Sequence, residues 1–347
     1  GKIMLKRMQN RLKRTFKVLT TGTLSQEDKR EIRAITMEEV AEAKKFFPMP
    51  KFFIFGHARS GTTLLTRLIR LHDEVHCNYQ GHFFTRPPLV SGLAADKSFH
   101  SWFARRSNRW NRGRDLTPVA LRAMVDYILE RDARQAGKTI VGDKSPNGLL
   151  NGQAVREMRT LYPDGKLIFI VRDGRDTLIS QRFQSFIDSP QHLSKEDLGI
   201  RAQFEKDPQP YIKGGQSIFT EKAIRRMAAG WVKNLQETDQ VGIELYVNQY
   251  VSLRYEDLLE NPTAEISKLW QFLGAKSDGF ETTIAEEMNS NPDADWQREK
   301  AGDLVKTLQK GKRGSWIDLF TARDKRLFKE IAGHTLIDWG YEKGLDW

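Results

Sequence analysis

Apolar residues along this chain fall into short blocks with two different periods. Phe52-Phe-Ile-Phe55 is an unbroken apolar run that stops at Gly56, as expected of a buried parallel strand. Leu64, Leu65, Leu68 and Ile69 then repeat at helical spacing, which predicts a helix from Thr62 onward. Lys166-Leu-Ile-Phe-Ile-Val-Arg172 is apolar at every interior position and predicts a central strand covered on both faces. Thr139–Lys144 and Tyr250–Tyr255 read as two further strands. Helices are expected from Ser25, as cap, to Phe47 before Pro48-Met-Pro50, and from Thr117-Pro118 to Gly137. Others are expected over Pro146–Tyr162, Asp176–Phe186, Thr220–Asp239, Asn261-Pro262 to Gly274, and Arg323–Gly340. Residues 76–115 show no period and read as loops and short surface helices; 188–217, with several Pro and Gly, read as a surface insertion. Strands alternating with helices predict an α/β fold with a central, mostly parallel sheet flanked by helices. The expected division is a basic N-terminal helical extension over 1–50 and an α/β domain over 51–347.

Composition narrows this modestly. With 347 residues and 39% hydrophobic content, the chain can bury one large α/β core, or two smaller ones. No run of ~18 apolar residues is present, so no spanning helix is predicted. No secretory signal with an apolar centre is read, although a removed targeting segment stays open because residue 1 is Gly. The lone Cys77 excludes an internal disulfide and suits a reducing cytosol, so a cytoplasmic location is expected. Residues 2–19 carry seven Lys or Arg and no acid, with Ile3, Met4, Met8, Leu12, Phe16 and Leu19 at near-helical spacing. They read as a helix packed on the domain, or alternatively as one lying on a membrane surface or a partner. The net charge of +11 favours polyanions such as acidic glycans, anionic lipid, nucleic acid or a phosphorylated nucleotide, without choosing among them.

The chemistry concentrates in two places. Strand, loop and helix at 52–65 make a cradle of backbone N–H groups for a phosphate-type anion, as in P-loop-containing nucleotide-binding folds. Gly56-His-Ala-Arg-Ser-Gly-Thr-Thr63 has the glycine spacing of a nucleoside-triphosphate loop, but Thr62 stands where that loop needs Lys, and the cation is Arg59 inside it. This counts against ATP or GTP hydrolysis. The second place is Ile170-Val-Arg-Asp-Gly-Arg-Asp-Thr-Leu-Ile-Ser180, where Arg172 emerges at a strand's carboxyl end and Ser180 follows eight residues on. Alone it also reads as a salt-bridged turn; with the loop, it reads as a grip on a second phosphate.

Together these motifs resemble the sulfotransferases that use 3′-phosphoadenosine-5′-phosphosulfate (PAPS). The resemblance runs from about Phe52 to Tyr341. It implies that Arg59, Ser60, Gly61, Thr62 and Thr63 hold the 5′-phosphosulfate and that Arg172 and Ser180 hold the 3′-phosphate. It further implies that Tyr255, within Leu253-Arg-Tyr-Glu-Asp-Leu258, lies at the adenine. Lys310, Gly311, Lys312 and Arg313, within Lys310-Gly-Lys-Arg-Gly-Ser-Trp316, match the late loop that closes over the nucleotide. Ala332-Gly333 and Gly340-Tyr341 look like the end of bacterial members. The implied reaction is in-line transfer of a sulfuryl group to a hydroxyl or amine, with cations stabilising charge on the leaving oxygen and a base taking the acceptor proton.

The chain departs from the family at Gln309, where Arg is common, and at Pro146, where the small-molecule branch has its catalytic His. Cys77-Asn-Tyr-Gln-Gly-His-Phe-Phe84 offers His82 where tyrosylprotein members have a Glu. Arg59 and Lys144 are the chosen cations and His82 the leading base, with Asp143 second; Asp143 also reads as an ion-pair partner orienting Lys144 or an arginine. His72 and His76 read as helix-end or surface residues. No metal is expected, since no residues have ligand spacing and the donor is already activated. The acceptor is left open as a small molecule, glycan, lipid or peptide, with 99–114 either lining its cleft or forming a surface elaboration. A nucleic-acid partner is not expected. The alternatives are a P-loop kinase or NTPase, a non-catalytic polyanion-binding protein, and an inactive PAPS binder.

Overall fold

Five strands, all parallel, lie in the order β2-β3-β1-β4-β5: β1 Lys51–Gly56, β2 Val75–Tyr79, β3 Ile140–Lys144, β4 Lys166–Val171 and β5 Tyr250–Arg254. They come from a computed structural model that describes residues 31–86, 88–290 and 314–347. The expected helix over 2–19, the Ser25 cap, and Lys310, Gly311, Lys312 and Arg313 lie outside the described residues.

β1 is buried at every position because its two faces feed two separate cores. Phe52 and Ile54 pack with α2 (Thr62–Ile69), α11 (Pro262–Leu273) and α12 (Glu281–Asn289) through Leu65, Leu68, Trp270 and Ile284. Phe53 and Phe55 face the other side, where α5 (Thr117–Gln135), α6 (Gln153–Leu161), α7 (Gly174–Asp188), α9 (Glu221–Tyr246) and α13 (Ala322–Asp338) supply Leu129, Val155, Phe186, Trp231 and Phe328. α1 (Met37–Lys44) rests on this second layer, with the Ile35 N–H donating to Thr160 O at 2.9 Å. α3 (Leu89–Ala95) and α4 (Lys97–Ala104) follow β2, and α10 (Tyr255–Glu260) follows β5. The chain leaves β1 toward β2 and later crosses back to β4, so the sheet changes direction at β1. In open α/β sheets the crevice at such a switch, outside the carboxyl ends of the strands, is where ligands bind.

The opposite edge of the sheet holds a buried ionic network. Lys51 Nζ at the start of β1 lies 2.5 Å from Glu130 Oε1 and 3.6 Å from Asp126 Oδ1, both on α5. Arg122 pairs with Asp126 at 2.9 Å and Asp164 at 2.8 Å, and Tyr162 donates to Asp126 at 2.7 Å. This ties α5 and α6 to the root of the central strand.

Several expectations shift. α1 begins at Met37, not near Ser25, because Thr36 and Glu39 form a capping box and residues 31–36 are not helical. β2, in a stretch expected to be loop, is a five-residue edge strand whose apolar positions Val75, Cys77 and Tyr79 alternate with His76 and Asn78, so no unbroken run marks it. α6 starts at Gln153, not Pro146. Beyond β3 the chain stays alongside β1, with Ser145 N–H on Ile54 O and Asn147 N–H on Gly56 O, until Asn151 and Gly152 turn it with positive φ. The 188–217 insertion contains α8 (Lys195–Lys206), and its Phe204 and Tyr211 join the core. His72 and His76 are buried rather than at the surface; His72 stacks on Phe280 and meets Trp270 edge-on.

Candidate active site

The loop between β1 and α2 turns on two residues with positive φ, Arg59 (73°) and Gly61 (87°). Gly61 has no substitute: a Cβ there would stand 2.1 Å from Cδ2 of Tyr255. It precedes α2 without a side-chain cap, so the first-turn N–H groups at Thr62 and Thr63 keep their donor capacity at the positive end of the helix. The loop's carbonyls are engaged elsewhere. Gln181 Nε2 donates to Ala58 O at 3.0 Å, and Arg172 Nη1 donates to Arg59 O at 3.2 Å.

The two sequence motifs meet here. Arg59 Nε donates to Ser180 Oγ at 2.9 Å, joining the loop to α7, and the Arg172 guanidinium lies 5.0 Å over the Tyr255 ring. Tyr255 is itself mostly buried, wedged between Gly61 and Arg172. Ser60 Oγ and Arg172 Nε are buried with no hydrogen-bond partner among the described residues. A buried polar group left unpaired costs about 1–3 kcal/mol, so both fit hydrogen bonds to a bound anionic ligand. His57, at the base of the loop, is pulled down to about 4 by burial. It adds no charge to the cradle at neutral pH.

β3 supplies the next groups. In the sheet register Lys144 pairs with Ile54 and Asp143 with Phe53, so these two neighbours project to opposite faces. Lys144 Nζ lies 3.5 Å from Thr63 Oγ1 and 5.0 Å over the Tyr79 ring, on the cradle's side. Asp143 instead accepts the Gly81 N–H at 2.9 Å and the Ser145 hydroxyl at 2.6 Å. Ser145 Oγ in turn accepts the His82 N–H at 2.9 Å. Asp143 therefore holds the turn that carries His82. Burial raises its carboxyl to about 6 against those bonds. His82 has φ 48°, and its Nδ1 lies 2.7 Å from Thr85 Oγ1. Burial, then the charges of Lys144 and Arg86, lower its imidazole below the usual range. A cavity of about 470 Å3 opens beside β2, with Arg70, Tyr79, Gly81 and Asp143 in its wall.

Motifs that are separate in sequence are tied together behind the site. Glu256, next to Tyr255, accepts the Asp173 N–H and the Tyr341 hydroxyl, each at 3.0 Å, and Arg254 donates to Gly340 O at 3.0 Å. The turn at 172–176 is indeed salt-bridged, Arg175 to Asp173 at 2.7 Å, and Arg175 also stacks between Trp316 and Trp347. Asp176 accepts the N–H groups of Gly314 and Trp316 at 2.7 and 3.1 Å, which docks the end of the late motif on α7. Sequence reading missed Gln181 and this role of Asp176. Asp176 lay within a recognised motif, but its partners are more than a hundred residues away.

Comparison with known proteins gives three relatives of note. A Drosophila melanogaster "Protein-tyrosine sulfotransferase" is 29% identical over 48% of this chain and 32% of its own length. A Caenorhabditis briggsae "Putative protein-tyrosine sulfotransferase" is 22% identical over 81% of this chain and 85% of its own. A Mus musculus "Heparan sulfate glucosamine 3-O-sulfotransferase 3B1" is 24% identical over 66% and 47%. The chain thus spans about a third of the fly protein and about half of the mouse one. These relatives overturn the cytoplasmic placement expected from Cys77. A single buried cysteine has no partner in any compartment, so its reduced state says nothing about the surroundings. The model of a family described as "Sulfotransferase family" matches residues 50–279, about two thirds of the sequence, and the chain belongs to that family.

Proposed function

We propose that this chain moves a sulfuryl group from PAPS to a hydroxyl or amine of an acceptor, releasing adenosine 3′,5′-bisphosphate. The observation that carries this reading is the cluster at the switch point, where Arg59, Ser180, Arg172 and Tyr255 converge on one loop around unpaired buried donors. PAPS, when bound, supplies the activated sulfuryl group and needs no metal to do so. Ser60 and the amides of Gly61, Thr62 and Thr63 hold its 5′ end, while Arg172 and Ser180 hold the 3′-phosphate. Tyr255 is the wall that fixes Gly61 and Arg172 and borders the adenine. Lys310, Gly311, Lys312 and Arg313 are assigned to the same nucleotide on their motif alone.

Arg59 and Lys144 place positive charge on two sides of the cradle, where it counts most against charge that develops during transfer. His82 takes the acceptor proton. Its Nδ1 is engaged by Thr85, which leaves Nε2 as the accepting nitrogen, and its lowered pKa keeps it neutral near pH 7. Asp143 and Ser145 position its turn. The kinds of acceptor named for the relatives, protein tyrosine and glycan, are the first to try.

Two measurements test this. Adenosine 3′,5′-bisphosphate raises the melting temperature of the chain, and Arg172→Ala removes most of that shift; an unchanged melting curve in excess nucleotide sinks the assignment. Labelled PAPS offered with phenols, tyrosine peptides, lipids and glycans then identifies the acceptor.

A further inference from the structure

α4 and the loop that follows it, to residue 116, form a surface the transfer chemistry does not use. Residues 97–114 contain six Lys or Arg and no acid. Arg105, Arg106, Arg109 and Arg112 are exposed and make no ion pair among the described residues. The flanking acids are committed as caps: Asp96 accepts the Phe99 N–H and Asp115 the Thr117 N–H. Amid these arginines Trp102 and Trp110 are 60% and 48% exposed and stack on each other at 5.0 Å and 27°.

This surface is built rather than merely solvated. Asn108 Nδ2 donates to Ser101 O and Trp102 O at 2.8 and 2.9 Å, and buried Asn111 donates to Phe103 O at 3.3 Å. The loop thereby caps the last carbonyls of α4 and sets Trp110 against Trp102. A hollow of about 340 Å3, lined by Lys97, Ser101, Trp102 and Asn108, opens at their side.

Two requirements on a partner follow. Exposed indole faces take flat apolar faces, and a guanidinium takes carboxylate or sulfate in bidentate fashion. A pyranose chain with anionic substituents offers both at once. An acidic peptide offers the charge without the rings, and a membrane surface calls for aliphatic residues along a helix face. We infer that this surface docks an anionic polysaccharide, outside the transfer site. The inference does not depend on the donor reading, because the contact is a binding event with no chemistry.

The test uses the full chain and size-defined heparin oligosaccharides, titrated with and without added salt. Arg105→Ser/Arg109→Ser/Arg112→Ser lowers affinity at least tenfold and flattens the log–log salt slope, because fewer counterions are released on binding. Trp102→Ala/Trp110→Ala weakens binding to a similar degree while leaving that slope in place, the signature of ring stacking. Wild-type heparin affinity in either variant overturns the inference. So does equal or stronger dependence on these residues for poly-L-glutamate or for vesicles containing phosphatidylserine. Melting curves with adenosine 3′,5′-bisphosphate run alongside. A retained nucleotide shift in both variants shows the fold intact and keeps failure here distinct from failure of the donor assignment.

Discussion

His82 and Asp143 are linked through Ser145, yet burial moves them in opposite senses, the imidazole down and the carboxyl up. For His82 the lowered pKa means that kcat/KM climbs with pH and levels off below the ordinary histidine value near 6.5, since the neutral ring is the active form. His82→Ala should lose turnover by about 10²–10⁴-fold while the nucleotide-induced melting shift persists. Unaltered turnover in that variant moves the base elsewhere. For Asp143 the folded carboxyl, at about 6, binds a proton that the unfolded chain has already released. Its contribution to stability is complete below pH ~3.8 and is lost as pH rises through about 6, a change of about 3 kcal/mol. Asp143→Asn should flatten denaturation midpoints over that window, and a slope identical to wild type would rule the assignment out. The residue types at these positions were legible as candidates. That the two neighbours project to opposite faces follows from any strand over 139–144, but which of them meets the loop after β1 does not, because that depends on the pairing with β1.

Among the elements, those that announced themselves did so through uninterrupted apolar runs or through turn chemistry that only glycine satisfies. β1, β4 and the loop at 56–61 are of that kind, and so is the Gly274 stop of α11. β2 gives only a weak signal because its alternation spans just five residues and carries two polar positions. His72 stayed hidden because its burial comes from Trp270 and Phe280, about two hundred residues away. The ionic network at the root of β1 was equally invisible, as only the Arg122–Asp126 and Arg134–Glu130 pairs are close in sequence, while Lys51 lies about eighty residues from its partners. Its energetics can be read from Lys51→Met, which removes one cation from two buried carboxylates that keep Arg134 and Arg122 as partners, and should cost about 1–3 kcal/mol in urea unfolding. Adding Glu130→Gln to that variant should restore part of the loss. A single variant with wild-type stability would mean that the network carries no weight.

For the molecule as a whole, the sheet order divides the work. The groups assigned to the nucleotide come from connections after β1, β4 and β5, on one side of the switch point. Those assigned to the acceptor come from the connections after β2 and β3, on the other. Amide hydrogen exchange with adenosine 3′,5′-bisphosphate should show this as added protection in 57–63, 172–181 and 254–257, with 89–116 unchanged. Protection gained equally in α3 and α4 would contradict the division. The net charge of +11 takes on a more specific meaning in this setting, because part of it is gathered at the stacked indoles rather than spread evenly.

The change of direction at β1 also bears on how such a chain can diverge over time. With the groups proposed for the nucleotide and those proposed for the acceptor hung on opposite halves of one sheet, replacement of a connection after β2 or β3 leaves the proposed nucleotide groups untouched. A lineage with this layout can exchange what it modifies through insertions in one segment, while selection holds the other half constant.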